Sequence, residues 1–161
     1  MAVWLVIVLI VMVVVGSVVW IRPSPRDQKL ALWRRDAIMA GLKVRMQTLK
    51  AEPKNSGIRD DVPGVTYEWY DPAPEKGDEK TWAVVKADGW LKEGLPEGWS
   101  WYSEAQEEIA EKVSDIIQAC PLEVNALERT PRSSRVIWSE NGKEYDPNSL
   151  KEFLMKMQVI S

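Results

Sequence analysis

The segment "VTYEWY", residues 65–70, shows the pattern that decides the fold of this chain. Apolar or aromatic side chains at positions 65, 67 and 69 alternate with the side chains at 66, 68 and 70. Because successive side chains of a strand point to opposite faces of the sheet, this alternation predicts a half-buried β-strand. A second apolar run, "TWAVVKA" at residues 81–87, predicts a strand that would pair with the first as a hairpin around a long polar loop.

Segments on either side of these two runs predict further strands and helices. Strand-like patterns occur in residues 42–49, 122–128 and 134–140. Apolar residues recur at helical spacing from Ser103 to Pro121 and again after Asp146. Ser103 with Gln106 matches a capping box, and Asp146 with Pro147 matches a helix start. The fold class expected for residues 42–161 is therefore α+β, a small antiparallel sheet packed on one or two helices.

Residues 2–21 are uncharged throughout, and they predict an N-terminal transmembrane helix. A helix of that length spans roughly 30 Å, the thickness of the hydrocarbon core of a bilayer. Trp4 and Trp20 lie near its two ends, where indole rings favour the membrane interface. A cleaved signal peptide is the main alternative. It is disfavoured because the chain lacks a positive leading region and has bulky residues where cleavage would fall.

Positive charge is concentrated directly after this apolar run. Residues 22–50 contain eight Lys/Arg and two Asp, a net charge of +6, whereas residues 51–161 contain 13 Lys/Arg and 22 Asp/Glu, a net charge of −9. Cations beside a span favour the cytoplasmic side. The predicted membrane-anchoring residues are Trp4, Trp20, Arg22, Arg26, Lys29, Arg34 and Arg35. The acidic charge of the remaining chain excludes general nucleic-acid binding, because phosphate neutralisation needs a basic surface.

A basic amphipathic helix is predicted between the apolar run and the first strand. Ser24 suits the N-cap, Pro25 the first helical position, and Asp27 can accept from the cap. Gly41 can end the helix. The predicted organisation is thus a transmembrane helix at residues 2–21, a juxtamembrane amphipathic helix at 22–41, and a soluble α+β domain at 42–161.

One part of the chain resembles a known family. The apolar run ends in Ile21-Arg22-Pro23, and a charged helix and the segment Ala40-Gly41-Leu42-Lys43-Val44 follow. Residues 8–48 thereby resemble the YajC family, small single-span accessory subunits of the bacterial preprotein translocase. The resemblance implies an accessory protein that works by contact, without a catalytic centre. Together with the charge distribution, it predicts a single-pass protein of the bacterial inner membrane, with the N-terminus outside and the C-terminal domain cytoplasmic.

The residue types present exclude several kinds of chemistry. The chain has no histidine and one cysteine, Cys120, so imidazole-based catalysis and most zinc sites are excluded. Phosphate-binding glycine loops and a nucleophile elbow are absent from the sequence as well. We therefore expect no enzyme activity, no cofactor and no metal. A carboxylate-based enzyme is the alternative, and it would need a deep pocket with two acids roughly 5 to 9.5 Å apart.

Tryptophan is unusually frequent, with nine residues in 161. Trp69, Trp82 and Trp138 occupy strand positions that can face a core. The candidate partner-binding residues are Trp33, Trp90, Trp99, Trp101 and Tyr102. The segment from Trp90 to Tyr102 has two interpretations: its rings fill the end of a small core, or they form an exposed interaction surface.

These observations predict a single-pass inner-membrane accessory or scaffold protein whose cytoplasmic domain mediates protein–protein contacts in a membrane complex, with the translocase as one candidate. The expected partners are the lipid bilayer and other membrane-complex subunits, and nucleic acid is not expected. The second alternative is a periplasmic ligand- or glycan-binding domain of inverted topology. In that alternative Trp90, Trp99 and Trp101 would bind the glycan.

Overall fold

A computed structural model describes residues 2–20, 24–74, 80–140 and 145–160. Its helices are α1 (Ala2–Trp20), α2 (Pro25–Met39), α3 (Glu107–Ala119) and α4 (Pro147–Gln158). Its strands are β1 (Lys43–Leu49), β2 (Val62–Tyr70), β3 (Trp82–Val85), β4 (Ser100–Trp101), β5 (Val124–Thr130) and β6 (Ser133–Trp138). The chain divides into two compact units, Met1–Trp33 and Arg34–Ser161.

The second unit is built on one six-stranded antiparallel sheet, so its class is α+β. The strand order is β1-β2-β6-β5-β3-β4. The predicted hairpin of β2 with β3 is wrong, because β6 and β5 lie between them in the sheet. β5 and β6 form the tight hairpin instead, joined at Thr130 and Ser133. The sequence pattern predicted the segments of β1, β2, β3, β5 and β6 but not the short β4, and it carried no information about which strands pair.

The two faces of this sheet differ in what they carry. One face, here called the helix-covered face, includes Tyr67, Val136, Leu127 and Val84 in register, all fully buried. The end of α4 is fixed to this face: the Arg129 Nε donates to the carbonyl of Gln158 at 3.0 Å. The core of the unit therefore lies between this face and α4, whose buried residues are Leu150, Phe153, Leu154, Met157 and Gln158.

The opposite face, here called the charged face, is polar at one end and apolar at the other. Its polar end carries Lys43, Glu68, Arg135 and Glu128 in register. Its apolar end forms a second buried cluster of Leu49, Ile58, Val85, Ala126 and Ile137. Ile58 belongs to the loop between β1 and β2, so this loop packs over the sheet and is brought beside the loop that follows β3.

The helix starts follow the sequence in two cases and depart from it in one. The amide of Asp27 donates to the hydroxyl of Ser24 at 3.1 Å, as predicted for α2. The amide of Ser149 donates to the carboxylate of Asp146 at 3.0 Å, as predicted for α4. α3 begins at Glu107 without a side-chain cap, so the capping box predicted from Ser103 is wrong. The Gln106 amide group donates instead to the carbonyl of Thr81 at 2.7 Å.

The first unit corrects the membrane prediction. α1 is apolar, and its side chains are described for residues 3–16, all of them exposed. In the part of the chain that the structure describes, no helix is both long and apolar enough to cross a membrane. This finding contradicts the transmembrane helix predicted at residues 2–21 and the single-pass inner-membrane localisation with a cytoplasmic domain.

The residues predicted to anchor the chain occupy different surroundings. Trp4, Arg26, Lys29 and Arg35 are exposed. Arg34 is only 30% exposed at its side chain and forms a salt bridge with Glu140 in the second unit, to which both residues belong. Arg22 and the side chain of Trp20 lie outside the described residues. The structure therefore assigns Arg34 an internal partner that the charge pattern did not suggest.

Candidate functional site

The structure separates the candidate partner-binding residues into buried and exposed groups. Trp101 is fully buried and Trp99 is 8% exposed. Tyr102 is half-buried, and its hydroxyl donates to the carbonyl of Lys50 at 3.0 Å. Trp90 is 64% exposed, and Trp33 is half-buried in the first unit. Of the three tryptophans between residues 90 and 101, Trp90 alone presents most of its ring to solvent.

The exposed Trp90 lies in a depression between two loops. We call it the Trp90 surface. The depression has a volume of about 500 Å³. Its lining residues are Gly57, Ile58, Arg59, Asp60, Ala87, Asp88, Gly89, Trp90 and Lys92. The first four belong to the β1–β2 loop and the others follow β3, so two segments distant in sequence build one surface.

Glycine at position 57 permits the close approach of the two loops. Gly57 has φ +77°, a conformation that side-chain-bearing residues rarely adopt. A Cβ at this position would lie 2.7 Å from atoms of the Trp90 indole. The Trp90 amide also donates to the carbonyl of Ser56 at 2.7 Å. The backbone of Trp90 is therefore fixed, and one side of its ring lies against the Gly57 backbone while the other remains available.

The segment before Trp90 is held by buried hydrogen bonds. The amide of Gly89 donates to the hydroxyl of Ser100 at 2.9 Å, and that hydroxyl donates to the carbonyl of Ala87 at 2.8 Å. A Cβ on Gly89 would lie 2.7 Å from the carbonyl oxygen of Ser56. These contacts position Trp90 before any ligand binds, which reduces the entropy lost on association.

Charges of both signs surround the ring. Arg59 and Lys92 contribute two cations, and Asp60 and Asp88 contribute two carboxylates. Lys92 forms a salt bridge with Asp88, and its hydrogen bond lowers the pKa of that carboxyl below the usual range. The result is an apolar centre within a polar, solvent-accessible rim, the arrangement found in protein–protein interfaces.

The polar end of the charged face forms a separate cluster. Arg135 forms a salt bridge with Glu128 on one side, and on the other side the hydroxyl of Ser133 donates to Glu68 at 2.9 Å. Lys43 lies 5.2 Å from the centre of the Tyr70 ring. The hydrogen bond with Glu68 is the main cause of the raised pKa of Tyr70. Both carboxylates are thus engaged by neighbours.

A buried network that the sequence did not reveal lies at the end of β6. The Arg34 Nε donates to Glu140 Oε1 at 2.9 Å, and the Tyr67 hydroxyl donates to the same oxygen. Glu140 is 6% exposed and has φ +55°, unusual for a residue other than glycine. Burial is the main cause of the raised pKa of Tyr67, and the hydrogen bond to Glu140 adds to it. The pKa of Arg34 is raised chiefly by its hydrogen bond to Glu140.

The sequence does not predict this network, because its residues are far apart in the chain. Glu140 is the last residue of the predicted strand at 134–140, where a charged side chain commonly faces solvent, and Arg34 resembles the neighbouring surface cations of a basic helix. Nothing in the sequence couples residues 34, 67 and 140. Among the described residues, no group of three acidic or cysteine side chains is placed to hold a metal ion. In this network Glu140 is the one carboxylate, and its neighbours Arg34 and Tyr67 are not typical metal ligands. We interpret the network as structural.

Comparison with known proteins adds no family assignment. No family model, no curated protein and no solved structure matches the chain. The resemblance of residues 8–48 to the YajC family therefore stays a prediction.

Proposed function

We propose that this chain is a protein-interaction module and that the Trp90 surface is where a protein partner docks. The observation that carries the proposal is the 64% exposure of Trp90, whose backbone is hydrogen-bonded to the neighbouring loop at Ser56. Tryptophan is enriched among the residues that dominate binding energy at protein interfaces. A partner that covers the exposed indole would remove its apolar area from water, which favours association.

The surroundings of Trp90 favour a protein over a glycan. A glycan platform made from Trp90, Trp99 and Trp101 requires three accessible rings, but Trp99 is 8% exposed and Trp101 is fully buried. The mixed charges of Arg59, Asp60, Asp88 and Lys92 provide both donors and acceptors for the rim of a protein interface. The proposal keeps the protein–protein contacts expected from the sequence and does not include the membrane.

Replacing Trp90 with alanine is expected to weaken partner binding strongly while the fold is retained. Hot-spot truncations cost about 2 kcal/mol or more, which is roughly a thirtyfold loss of affinity. The measurement is quantitative mass spectrometry of proteins that co-purify with a tagged chain returned to its source cells. Wild-type and Trp90→Ala chains are compared at equal expression, with circular dichroism verifying the fold of each.

Val159→Ala is the matched control, because Val159 is 80% exposed but lies at the end of α4. We expect a protein that is enriched with the wild type and with Val159→Ala and is depleted at least tenfold with Trp90→Ala. An unchanged set of co-purifying proteins in the Trp90→Ala sample would contradict the proposal.

A further inference from the structure

We propose that the outer edge of β1 binds an extended, acidic segment of a partner protein, which adds a seventh strand to the sheet. β1 is the terminal strand in the order β1-β2-β6-β5-β3-β4 and is seven residues long. Within the described residues it pairs with β2 alone. Its outward amide and carbonyl groups are therefore available to an added strand, a known mode of peptide recognition.

The side chains of β1 specify the character of that strand. Lys43 and Arg45 are exposed and occupy alternate positions on the charged face. Neither forms a salt bridge in the part of the chain that the structure describes. On the other face, Met46 is 78% exposed and Val44 is half-buried. An added strand would place carboxylates beside the two cations and apolar side chains beside Val44 and Met46.

Charge disfavours a second copy of this chain as the occupant of the edge. Antiparallel self-pairing centred on Met46 would place Arg45 diagonally across from Arg45 of the second copy, within reach of a long side chain. Parallel pairing in register would place Lys43 beside Lys43 and Arg45 beside Arg45. Like charges on neighbouring strands are destabilising, and cations on an edge strand are a common protection against self-association. A partner strand with acidic residues at alternate positions would instead place opposite charges beside Lys43 and Arg45.

This site goes beyond the Trp90 surface. It uses backbone pairing and the charges of β1, and it shares no lining residue with the depression around Trp90. Binding at the edge can therefore be tested whether or not the Trp90 surface binds a partner.

The test is a titration of the isotope-labelled full-length chain with a synthetic peptide that alternates glutamate and valine over seven residues. A mild detergent keeps the chain dispersed, because α1 exposes apolar side chains. We expect amide chemical-shift changes confined mainly to β1. The double substitution Lys43→Glu and Arg45→Glu is expected to weaken binding of this peptide at least tenfold. The doubly substituted chain should also bind the matched peptide that alternates lysine and valine. The Trp90→Ala chain should bind the acidic peptide as the wild type does.

Three outcomes would overturn the proposal. In the first, the acidic peptide leaves the chemical shifts of the β1 amides unchanged. In the second, the acidic and basic peptides bind the wild-type chain equally. In the third, light scattering shows a dimer whose β1 amides are protected from exchange with solvent, so that a second copy occupies the edge. Because both substituted residues are exposed, unchanged amide spectra outside β1 will verify that the doubly substituted chain is folded.

Discussion

Replacing Glu140 with alanine is expected to lower the free energy of unfolding of the Arg34–Ser161 unit by about 3 kcal/mol. The substitution removes the carboxylate that accepts from both Arg34 and Tyr67. It leaves the Tyr67 hydroxyl without its acceptor in a fully buried position, and it leaves a partly buried guanidinium without its counter-ion. Removing one partner of a buried ion pair typically costs about 3 to 5 kcal/mol, and the 30% exposure of the Arg34 side chain favours the lower value.

Urea unfolding followed by tryptophan fluorescence measures this loss. Glu140→Gly is the informative companion, because glycine adopts φ +55° without the roughly 1 kcal/mol penalty that alanine and glutamate both bear. Glycine should therefore destabilise the unit less than alanine does. Glu152→Ala is the exposed control on α4 and should change stability by less than about 0.5 kcal/mol. A loss of less than about 1 kcal/mol for Glu140→Ala would show that the network is not structural.

Replacing Trp101 with alanine is expected to cost about 3 to 5 kcal/mol of stability. Trp101 is fully buried beside Val84 in the sheet, and its indole Nε1 donates to the carbonyl of Glu93 at 3.1 Å. The substitution leaves a large cavity and one unpaired carbonyl. Trp90→Ala should cost much less, because its ring is 64% exposed. Thermal and urea unfolding of the two variants side by side measure the difference, and equal losses would contradict the assignment of Trp101 to the core and Trp90 to the surface.

Local features of the fold could be predicted from the sequence more reliably than its pairings. The alternation in residues 65–70 identified β2, and Ser24, Asp27 and Asp146 identified two helix starts, because these signals depend on neighbouring residues. The partner of β2 depends on which distant strand covers its apolar side chains. That choice belongs to the whole sheet, so β2 was wrongly paired with β3. Ser103 does not cap α3 for a similar reason, because the side chain of Gln106 donates to the carbonyl of Thr81, 25 positions away.

The candidate site was predicted in part. The sequence drew attention to the segment from Trp90 to Tyr102 but could not divide its rings between core and surface. Trp101 is buried because it lies in β4 opposite Val84, whereas Trp90 lies in a loop and rests on Gly57. That contact joins positions 33 residues apart. The contact depends on the positive φ of Gly57, and the spacing of residues along the sequence does not show that Trp90 lies against this glycine.

The most direct test of the proposed interaction surface is a photo-crosslinking amino acid placed at position 90 of the full-length chain in its source cells. The same group at position 159 is the control, because it is similarly exposed on another element. We expect one light-dependent adduct of defined mass from position 90, identified by mass spectrometry as a single protein, and none of that mass from position 159. Identical adducts from both positions, or none from position 90, would contradict the claim that Trp90 docks a protein partner.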